Sequence, residues 1–234
     1  MQLRAPRPVK RLWPGSRHAL PLKSRRPMVD VLPIDRERAF WSGVENARRF
    51  FRGDADVQRA LERLARLLDE QGIPYAVIGA MALNEWGYRR VTVDADVLLT
   101  ADGLRAVKDH VLGRGYVEKF PGSRGLRDVE AGVNIHVVLA GEYPGDGRPK
   151  PVVFPDPAEA AVRGRRVALL PLSRLIELKL AAGISAPHPL KDLADVLEVI
   201  RLLSLPREMA QSFDASVRAK FEELWQAAQT RDRE

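Results

Sequence analysis

The sequence contains 234 residues, of which 45% are hydrophobic and 29% are charged, and it has no cysteine. Disulfides and thiolate metal sites are therefore excluded. Since no apolar run approaches the ~20 residues of a membrane span, we predict no membrane association. The composition is that of an ordinary globular protein, and we expect a cytoplasmic location.

The formal net charge of +7 is concentrated in residues 1–27. This segment holds eight of the 38 Lys and Arg residues, five prolines and no acid, so residues 28–234 carry a net charge of about −1. Because prolines oppose a stable helix, we predict a disordered basic tail that could contact RNA or an anionic surface. Alternatively, Met28 is the true start of the protein.

Hydrophobic periodicity predicts two helices, at residues 35–52 and 55–70, ahead of the first strand. A short buried strand at 75–80 and a brief helix from Met81 follow, and residues 91–99 are predicted to form a second strand. The next predicted elements are a helix at 102–113 and strands at 125–130 and 132–139, joined by a tight turn at Ala131-Gly132.

Residues 140–157 are rich in glycine and proline and are predicted to hold at most one short strand, at 152–154. The segment 166–172 leads into helices at 172–183 and 189–203, His188 is predicted to lie in a loop, and a more polar helix beyond Pro206 runs to about Gln229.

This element order predicts an α/β (α+β) protein, with a small mixed sheet of about 4–5 strands flanked by helices and a helical C-terminal part. The predicted division is a tail at 1–27, a core at 28–165 and a helical region at 166–234.

The predicted strand VTVDADVLL (91–99) carries two carboxylates, Asp94 and Asp96. Alternation along a strand points both to one face, with their Cα atoms roughly 6–7 Å apart, while Val91, Val93 and Ala95 face an apolar core. Two half-buried carboxylates repel each other unless a metal ion, a basic neighbour or solvent compensates. Mg²⁺ is commonly held by one or two carboxylates together with substrate phosphates.

The turn after the first predicted strand contains Gly79 and Ala80. Small residues at the start of a helix let backbone N–H groups approach a phosphate, and the helix dipole favours the anion. Glycine also occurs at such turns merely for its conformational freedom. The turn is followed by Arg90, Thr92 and the paired aspartates. This order favours a phosphate-binding turn beside a metal site.

The stretch 78-IGAMALNEWGYRRVTVDADVLL-99 resembles the nucleotidyltransferase fold (the polymerase-β-like superfamily) and, within it, the AbiEii-type nucleotidyltransferase toxins of abortive-infection systems. The matching residues are Gly79, Ala82, Leu83, Gly87, Arg90, Thr92, Asp94 and Asp96. Residues 175–200 resemble the helical region of the same family, with matches at Lys179, Lys191, Asp192 and Asp195. The resemblance covers roughly residues 70–205.

The resemblance implies a metal-dependent enzyme that moves a nucleotidyl group from an NTP to an acceptor hydroxyl on RNA, a protein or a small molecule. It also implies a toxin–antitoxin or phage-defence system, with an antitoxin or another partner protein. The implied metal is Mg²⁺ or Mn²⁺, held by Asp94 and Asp96. The implied catalytic residues are Asp94, Asp96, His136 and Lys179, and the implied nucleotide-binding residues are Gly79, Ala80, Arg90, Thr92, Lys179, Lys191 and Asp192.

Two residues depart from the family pattern. Ala80 replaces a Gly or Ser, and His136 stands where the family has a third carboxylate on a later strand. Because imidazole is a poor Mg²⁺ ligand, His136 is either a site residue or a half-buried structural histidine. Asp128 or Glu130 could supply the missing acid. The alternative function is therefore a catalytically impaired protein that binds a nucleotide or a partner.

Lys179 lies in the middle of the apolar arc of the predicted helix 172–183. A lysine directed into the interior needs a partner or a ligand. It could pair with Asp94 or Asp96, contact nucleotide phosphates or reach back to the surface, and the resemblance favours phosphate.

The predicted helix 189–203 carries a broad polar face formed by Lys191, Asp195 and Glu198, with Asp192 at its flank. This face is either solvated or part of the functional cleft. A purely structural role of the terminal helices in an assembly is the third reading of the chain, although they show no long apolar seam.

Overall fold

The structure is a computed structural model that describes residues 34–53, 55–187 and 189–230. The predicted tail 1–27 and His188 lie outside these residues. The chain divides into two compact units, Met1–Trp41 and Ser42–Glu234. The described part of the first unit is the beginning of helix α1 (Ile34–Arg52), where the rings of Phe40 and Trp41 meet edge to face at 5.2 Å.

The helices fall close to the predicted segments. Beyond α1 they are α2 (Asp56–Glu70), α3 (Gly79–Glu85), α4 (Ala101–Val111), α5 (Pro157–Ala160), α6 (Leu172–Ser185), α7 (Leu190–Leu203), a 3-10 helix (Arg207–Ser212) and α8 (Ala215–Gln229). The helices predicted from hydrophobic periodicity are confirmed, while the single-turn α5 and the 3-10 helix were not predicted because they are too short to show a period.

The strands form one mixed sheet. They are β1 (Ala76–Ile78), β2 (Ala95–Leu99), β3 (Tyr116–Glu118), β4 (Leu126–Asp128), β5 (Val133–Leu139), β6 (Val162–Arg163) and β7 (Ala168–Leu169), in the order β3-β4-β5-β2-β1-β7-β6. The pairs β2–β5 and β1–β7 are parallel, and the other neighbours are antiparallel.

The mixed sheet, its flanking helices and the helical C-terminal part confirm the predicted fold class, but the strand count of about 4–5 is wrong, because the described residues form a sheet of seven strands. Strands β3, β6 and β7 have two or three residues each, too few for alternation to be read from sequence. Strand β7 lies beyond residue 165, so the sheet continues past the predicted core, and the domain division stays a prediction.

The core is built from the apolar faces of the helices against the sheet. In α2, the buried residues recur at helical spacing: Val57, Ala60, Leu61, Leu64, Ala65 and Leu68. Helix α2 packs against β5, α4 against β2, and α3 against β1, β2 and α6, while α6 packs against α7 and α8. Each fully buried leucine or valine contributes roughly 1.5–3 kcal/mol. In the part of the chain that the structure describes, no helix is both long and apolar enough to cross a membrane.

The strand with the aspartates begins later than predicted, at Ala95. Just before it, the backbone N–H of Arg90 donates to Asn84 Oδ1 at 2.8 Å, and Thr92 Oγ1 donates to the Asp94 carbonyl at 3.2 Å. These side-chain bonds occupy backbone groups that a longer ladder would use. Val93, predicted to face the core, is 60% exposed. Asp94 therefore lies in a bend, and only Asp96 follows strand geometry.

Residues 140–157 were predicted to hold at most one short strand, at 152–154, and none forms there among the described residues. Phe154 instead exchanges two backbone hydrogen bonds with the turn after β5, because the Gly141 N–H donates to its carbonyl at 2.8 Å and its own N–H donates to the Glu142 carbonyl at 2.9 Å. The Gly/Pro-rich segment is thus fixed against the end of β5 without becoming a strand.

Candidate functional site

In the candidate site, the Asp96 carboxylate lies beside the turn at Gly79. Ile78 and Asp96 are register partners in β1 and β2, so the next residue along β1 lies beside the carboxylate. Gly79 has φ of +64°, a conformation that favours glycine, and a Cβ atom there would lie 2.2 Å from Asp96 Oδ2. The missing side chain of Gly79 therefore provides the space that the carboxylate occupies.

On its other side, Asp96 faces His136. The two are register partners in the parallel strands β2 and β5, and His136 Nδ1 lies 3.4 Å from Asp96 Oδ1. His136 Nε2 lies 3.3 Å from Lys119 Nζ. Because a neutral imidazole has one N–H donor and one acceptor nitrogen, His136 can accept from Lys119 at Nε2 while its Nδ1 faces Asp96. Sequence reasoning missed Lys119, which follows the three-residue strand β3 and belongs to no readable motif.

Asp94 is hydrogen-bonded to Asn134, whose side chain lies on the same face of the sheet as His136. Asn134 Nδ2 donates to Asp94 Oδ1 at 3.2 Å, and Arg127 Nη1 donates to Asn134 Oδ1 at 3.3 Å. Because Asn134 and His136 are two residues apart on β5, their side chains share a face. The structure thus places Asp94, Asp96 and His136 at the same face of the sheet.

The protein environment disfavours the charged form of Asp96. Burial of the carboxyl raises its pKa above the ordinary value, and the charge of Asp94 adds to this rise. The neighbouring His136 and the positive charge of Lys179 act in the opposite direction, but burial outweighs them. An acid held in this way gains from a cation placed beside it.

Lys179 belongs to a second cluster, which joins α6 to α7. Its Nζ atom donates to Asp192 Oδ1 at 2.7 Å and to Asp195 Oδ2 at 2.8 Å, and its side chain is only 14% exposed. Arg90 Nη1 donates to Asp195 Oδ1 at 2.9 Å. Burial alone lowers the pKa of Lys179, but its two carboxylate partners raise it above the ordinary value. Lys179 is therefore charged and paired with Asp192 and Asp195 rather than with Asp94 or Asp96.

This pairing corrects the reading of α7 as carrying one broad polar face. The side chain of Asp195 is 3% exposed and bridges Arg90 and Lys179. Sequence periodicity could not show this, because the partners come from other parts of the chain. Lys191, in contrast, is exposed and makes no side-chain hydrogen bond or ion pair with any described residue.

The other predicted nucleotide-binding residues lie at or next to the turn. Ala80 is buried, and its carbonyl accepts a hydrogen bond from Asn84 Nδ2 at 2.7 Å. Thr92 uses its hydroxyl within the bend before β2. Helix α3 spans only seven residues, so its dipole contributes little to anion binding.

The suggestion that Asp128 or Glu130 supplies a third acid is wrong. Asp128 is the register partner of Val133, which lies one residue from Asn134 and so faces the opposite side of the sheet. Both acids accept from Arg63 of α2, at 2.7 Å for Asp128 and 3.1 Å for Glu130. Both acids are therefore paired with α2 rather than directed to Asp96.

The described residues contain no group of three His, Cys, Asp or Glu side chains placed to hold a metal ion. The donors at hand are the carboxylates of Asp94 and Asp96. Two carboxylates fit one Mg²⁺ ion that takes its remaining ligands from water and substrate phosphates. They do not fit a closed protein site with three or more side-chain ligands.

No family model matches this chain, and no curated protein matches it. Among solved structures, the chain is similar to ANT(2″)-Ia in complex with adenylyl-2″-tobramycin, with 16% identity over 70% of this chain and 96% of that one and a TM-score of 0.46. It is also similar to JHP933 from Helicobacter pylori, with 12% identity over 74% of this chain and 90% of that one and a TM-score of 0.42.

A solution structure of the antibiotic-resistance factor ANT(2″)-Ia shows 18% identity over 71% of this chain and 88% of that one, with a TM-score of 0.40. At identities and TM-scores this low, the likeness assigns neither an activity nor a substrate to this chain.

Proposed function

We propose that the protein is a cytoplasmic nucleotidyltransferase that moves a nucleotidyl group from an NTP to an acceptor hydroxyl. The observation that carries the proposal is the contact of Asp96 with the Gly79 turn, because it sets an acid pair beside a turn that a phosphate can approach. Asp94 and Asp96 would hold the Mg²⁺ or Mn²⁺ ion. When bound, the ion would neutralise charge on the phosphate oxygens and polarise the phosphorus under attack.

The residues around the acid pair have separate tasks in this proposal. His136 holds the Asp96 carboxylate from one side, and Lys119 brings a cation to the same edge. The charge of Lys179 is felt at Asp96, which supports a position near bound phosphates, although Asp192 and Asp195 would share it. Arg90, Thr92 and Ala80 would form the walls of the turn.

The proposed role of Lys191 and the proposed biological role of the protein rest on the sequence resemblance alone. We include Lys191 among the nucleotide-binding residues because it matches the AbiEii-type pattern, and its exposed side chain leaves it accessible to a ligand. The same resemblance supports a toxin–antitoxin or phage-defence role with a partner antitoxin. RNA or a partner protein is the acceptor it favours.

The test is to incubate the full chain with each labelled NTP, Mg²⁺ or Mn²⁺ and host RNA or lysate, and to identify what becomes labelled. We expect label on an acceptor together with released pyrophosphate. The double variant Asp94→Asn, Asp96→Asn should abolish both, and Lys191→Ala should weaken NTP binding without abolishing transfer. Equal labelling by wild type and the double variant would refute the proposal.

A second candidate, an inactive relative that binds a nucleotide or a partner, is favoured by the histidine beside Asp96. His136 supplies no negative charge where the resembled family has a third carboxylate. His136→Asp separates the two functions. If wild type consumes no NTP and the variant does, the natural protein is a binding module, whereas turnover by wild type supports the enzyme.

A further inference from the structure

A second candidate site lies on the opposite face of the sheet from Asp96. An open cavity of about 520 Å³ is lined by the end of α1, by α2, by α3 and by the turn between β6 and β7. Val77 lines it, whereas the next residue, Ile78, is the register partner of Asp96. Because successive strand residues point to opposite faces, this cavity is separate from the aspartate site. Its volume is in the range of small-molecule sites.

The rim of the cavity is basic. Among the described residues that line it are four arginines and two glutamates. Arg166 is paired with Glu62 at 2.5 Å. Arg52, Arg89 and Arg165 are exposed and make no side-chain hydrogen bond or ion pair with any described residue. An unpaired guanidinium offers a fork of N–H donors that matches phosphate oxygens.

A tight turn holds two of these arginines over the cavity. The Gly164 N–H donates to the Val167 carbonyl at 2.9 Å, which closes the turn that carries Arg165 and Arg166 at its tip. A Cβ atom on Gly164 would lie 2.4 Å from Leu169 Cδ2 and 2.8 Å from the Val167 oxygen. The turn is therefore closely packed from behind, and this packing fixes where its arginines project.

The cavity also offers apolar and aromatic surface. Its floor includes the buried side chains of Leu61, Val77 and Met81. Phe51 stands at the rim with 53% of its surface exposed, and its ring is braced edge to face by the buried Phe50, at a centroid distance of 5.9 Å. A braced, exposed aromatic ring near unpaired arginines is the arrangement on which nucleic-acid bases stack.

We propose that this cavity binds a nucleotide unit, with its phosphate on Arg89 and Arg165 and its base against Phe51. A free nucleotide and a residue of single-stranded RNA present the same phosphate and base. The site is distinct from the Asp94–Asp96 site, and it does not depend on the proposed nucleotidyl transfer.

The experiment measures binding of AMP and of a fluorescently labelled oligoadenylate RNA to the full chain in EDTA, which suppresses metal-dependent binding at the aspartates. Wild type is compared with Arg89→Ala, Arg165→Ala and with the control Arg114→Ala, Arg148→Ala. The control removes the same charge from two exposed arginines that do not line the cavity and whose side chains make no hydrogen bond with a described residue.

The cavity variant should weaken binding by about tenfold or more, and the control variant should bind like wild type. With RNA, the slope of log affinity against log salt should fall by about 0.7 for each cavity arginine removed. Phe51→Ala should weaken binding without changing that slope.

If the cavity variant loses AMP binding, the cavity is a site for a free nucleotide. If the cavity variant loses only RNA binding, the cavity is a site for single-stranded RNA. The proposal is overturned if wild type binds neither probe, or if the cavity and control variants bind equally. Far-UV circular dichroism and the urea midpoint confirm that each variant is folded.

Discussion

Substituting Gly79 with alanine tests the contact on which the candidate site depends, and Gly72 provides a matched control. Gly79 and Gly72 have nearly the same φ, +64° and +65°, but a Cβ atom at Gly72 meets nothing within 4 Å. Alanine in this conformation costs about 1–2 kcal/mol, partly offset by about 0.4–1 kcal/mol from the less flexible unfolded chain. Gly72→Ala should therefore destabilise the protein by about 1 kcal/mol.

Gly79→Ala carries the same backbone cost and an additional steric one. Its Cβ would lie 2.2 Å from Asp96 Oδ2 and 3.0 Å from Asp96 Cγ, so the carboxylate must move, which costs typically about 1–3 kcal/mol. Urea unfolding should show a lower midpoint for Gly79→Ala than for Gly72→Ala, with unchanged m values.

A double-variant cycle identifies the source of the extra cost. Asp96→Ala removes Cγ and Oδ2, the atoms nearest to the new methyl group, and leaves Cβ at 3.2 Å. In that background, Gly79→Ala should cost about as much as Gly72→Ala. If the two glycine variants are equally stable, or if Asp96→Ala does not change the cost at Gly79, then Asp96 does not pack against the turn and the site is built differently.

Two further predictions concern charge. Lys179→Met leaves the 3%-exposed Asp195 with Arg90 as its remaining cation, so the free energy of unfolding in urea should fall by about 3 kcal/mol. The control Lys191→Met should change that free energy by less than about 0.5 kcal/mol. Equal effects of the two substitutions would show that Lys179 is not held as a buried ion. Asp96→Asn should stabilise the protein at neutral pH by about 0.5 kcal/mol, because burial raises the pKa of Asp96 and ionisation therefore opposes folding. As the pH falls through the ordinary aspartate value of 3.8, the carboxyl becomes protonated in both folded and unfolded chains, so this advantage should vanish; an advantage that grows at low pH would contradict the reasoning.

The longer helices could be predicted from sequence because they show their period, whereas α5 and the 3-10 helix are too short to do so. The sheet could be predicted only in part. Its central strands β1, β2 and β5 are apolar and recognisable, but the edge strands β3 and β6 are held by pairing rather than by their own pattern. The late start of β2 has a local cause, because the side chains of Asn84 and Thr92 make hydrogen bonds with backbone groups of the segment just before the strand.

In the candidate site, too, features set by neighbouring residues could be predicted, whereas contacts between distant parts of the chain could not. Asp94, Asp96 and Gly79 lie within one short stretch, so their spacing could be interpreted. The inward direction of Lys179 was visible from helical periodicity, but its partners depend on how α6 packs against α7. Arg90 and Asp195 are 105 residues apart in sequence, and no pattern in one sequence links them. Lys119 was missed for the same reason.

The distribution of costly features around the Gly79 turn is itself an argument for a ligand. Burial raises the pKa of Asp96 and so disfavours its charged form, and Arg90 has a buried Nε atom without a hydrogen-bond partner among the described residues. Selection for stability alone would favour replacing the buried carboxyl, for example by Asp96→Asn. A cation between the carboxylates would instead compensate Asp96, and an anion beside Arg90 could reach its unpaired donor. A buried carboxyl and a buried, unpaired donor, each of which a bound group of opposite charge would compensate, are expected at functional sites rather than at structural ones.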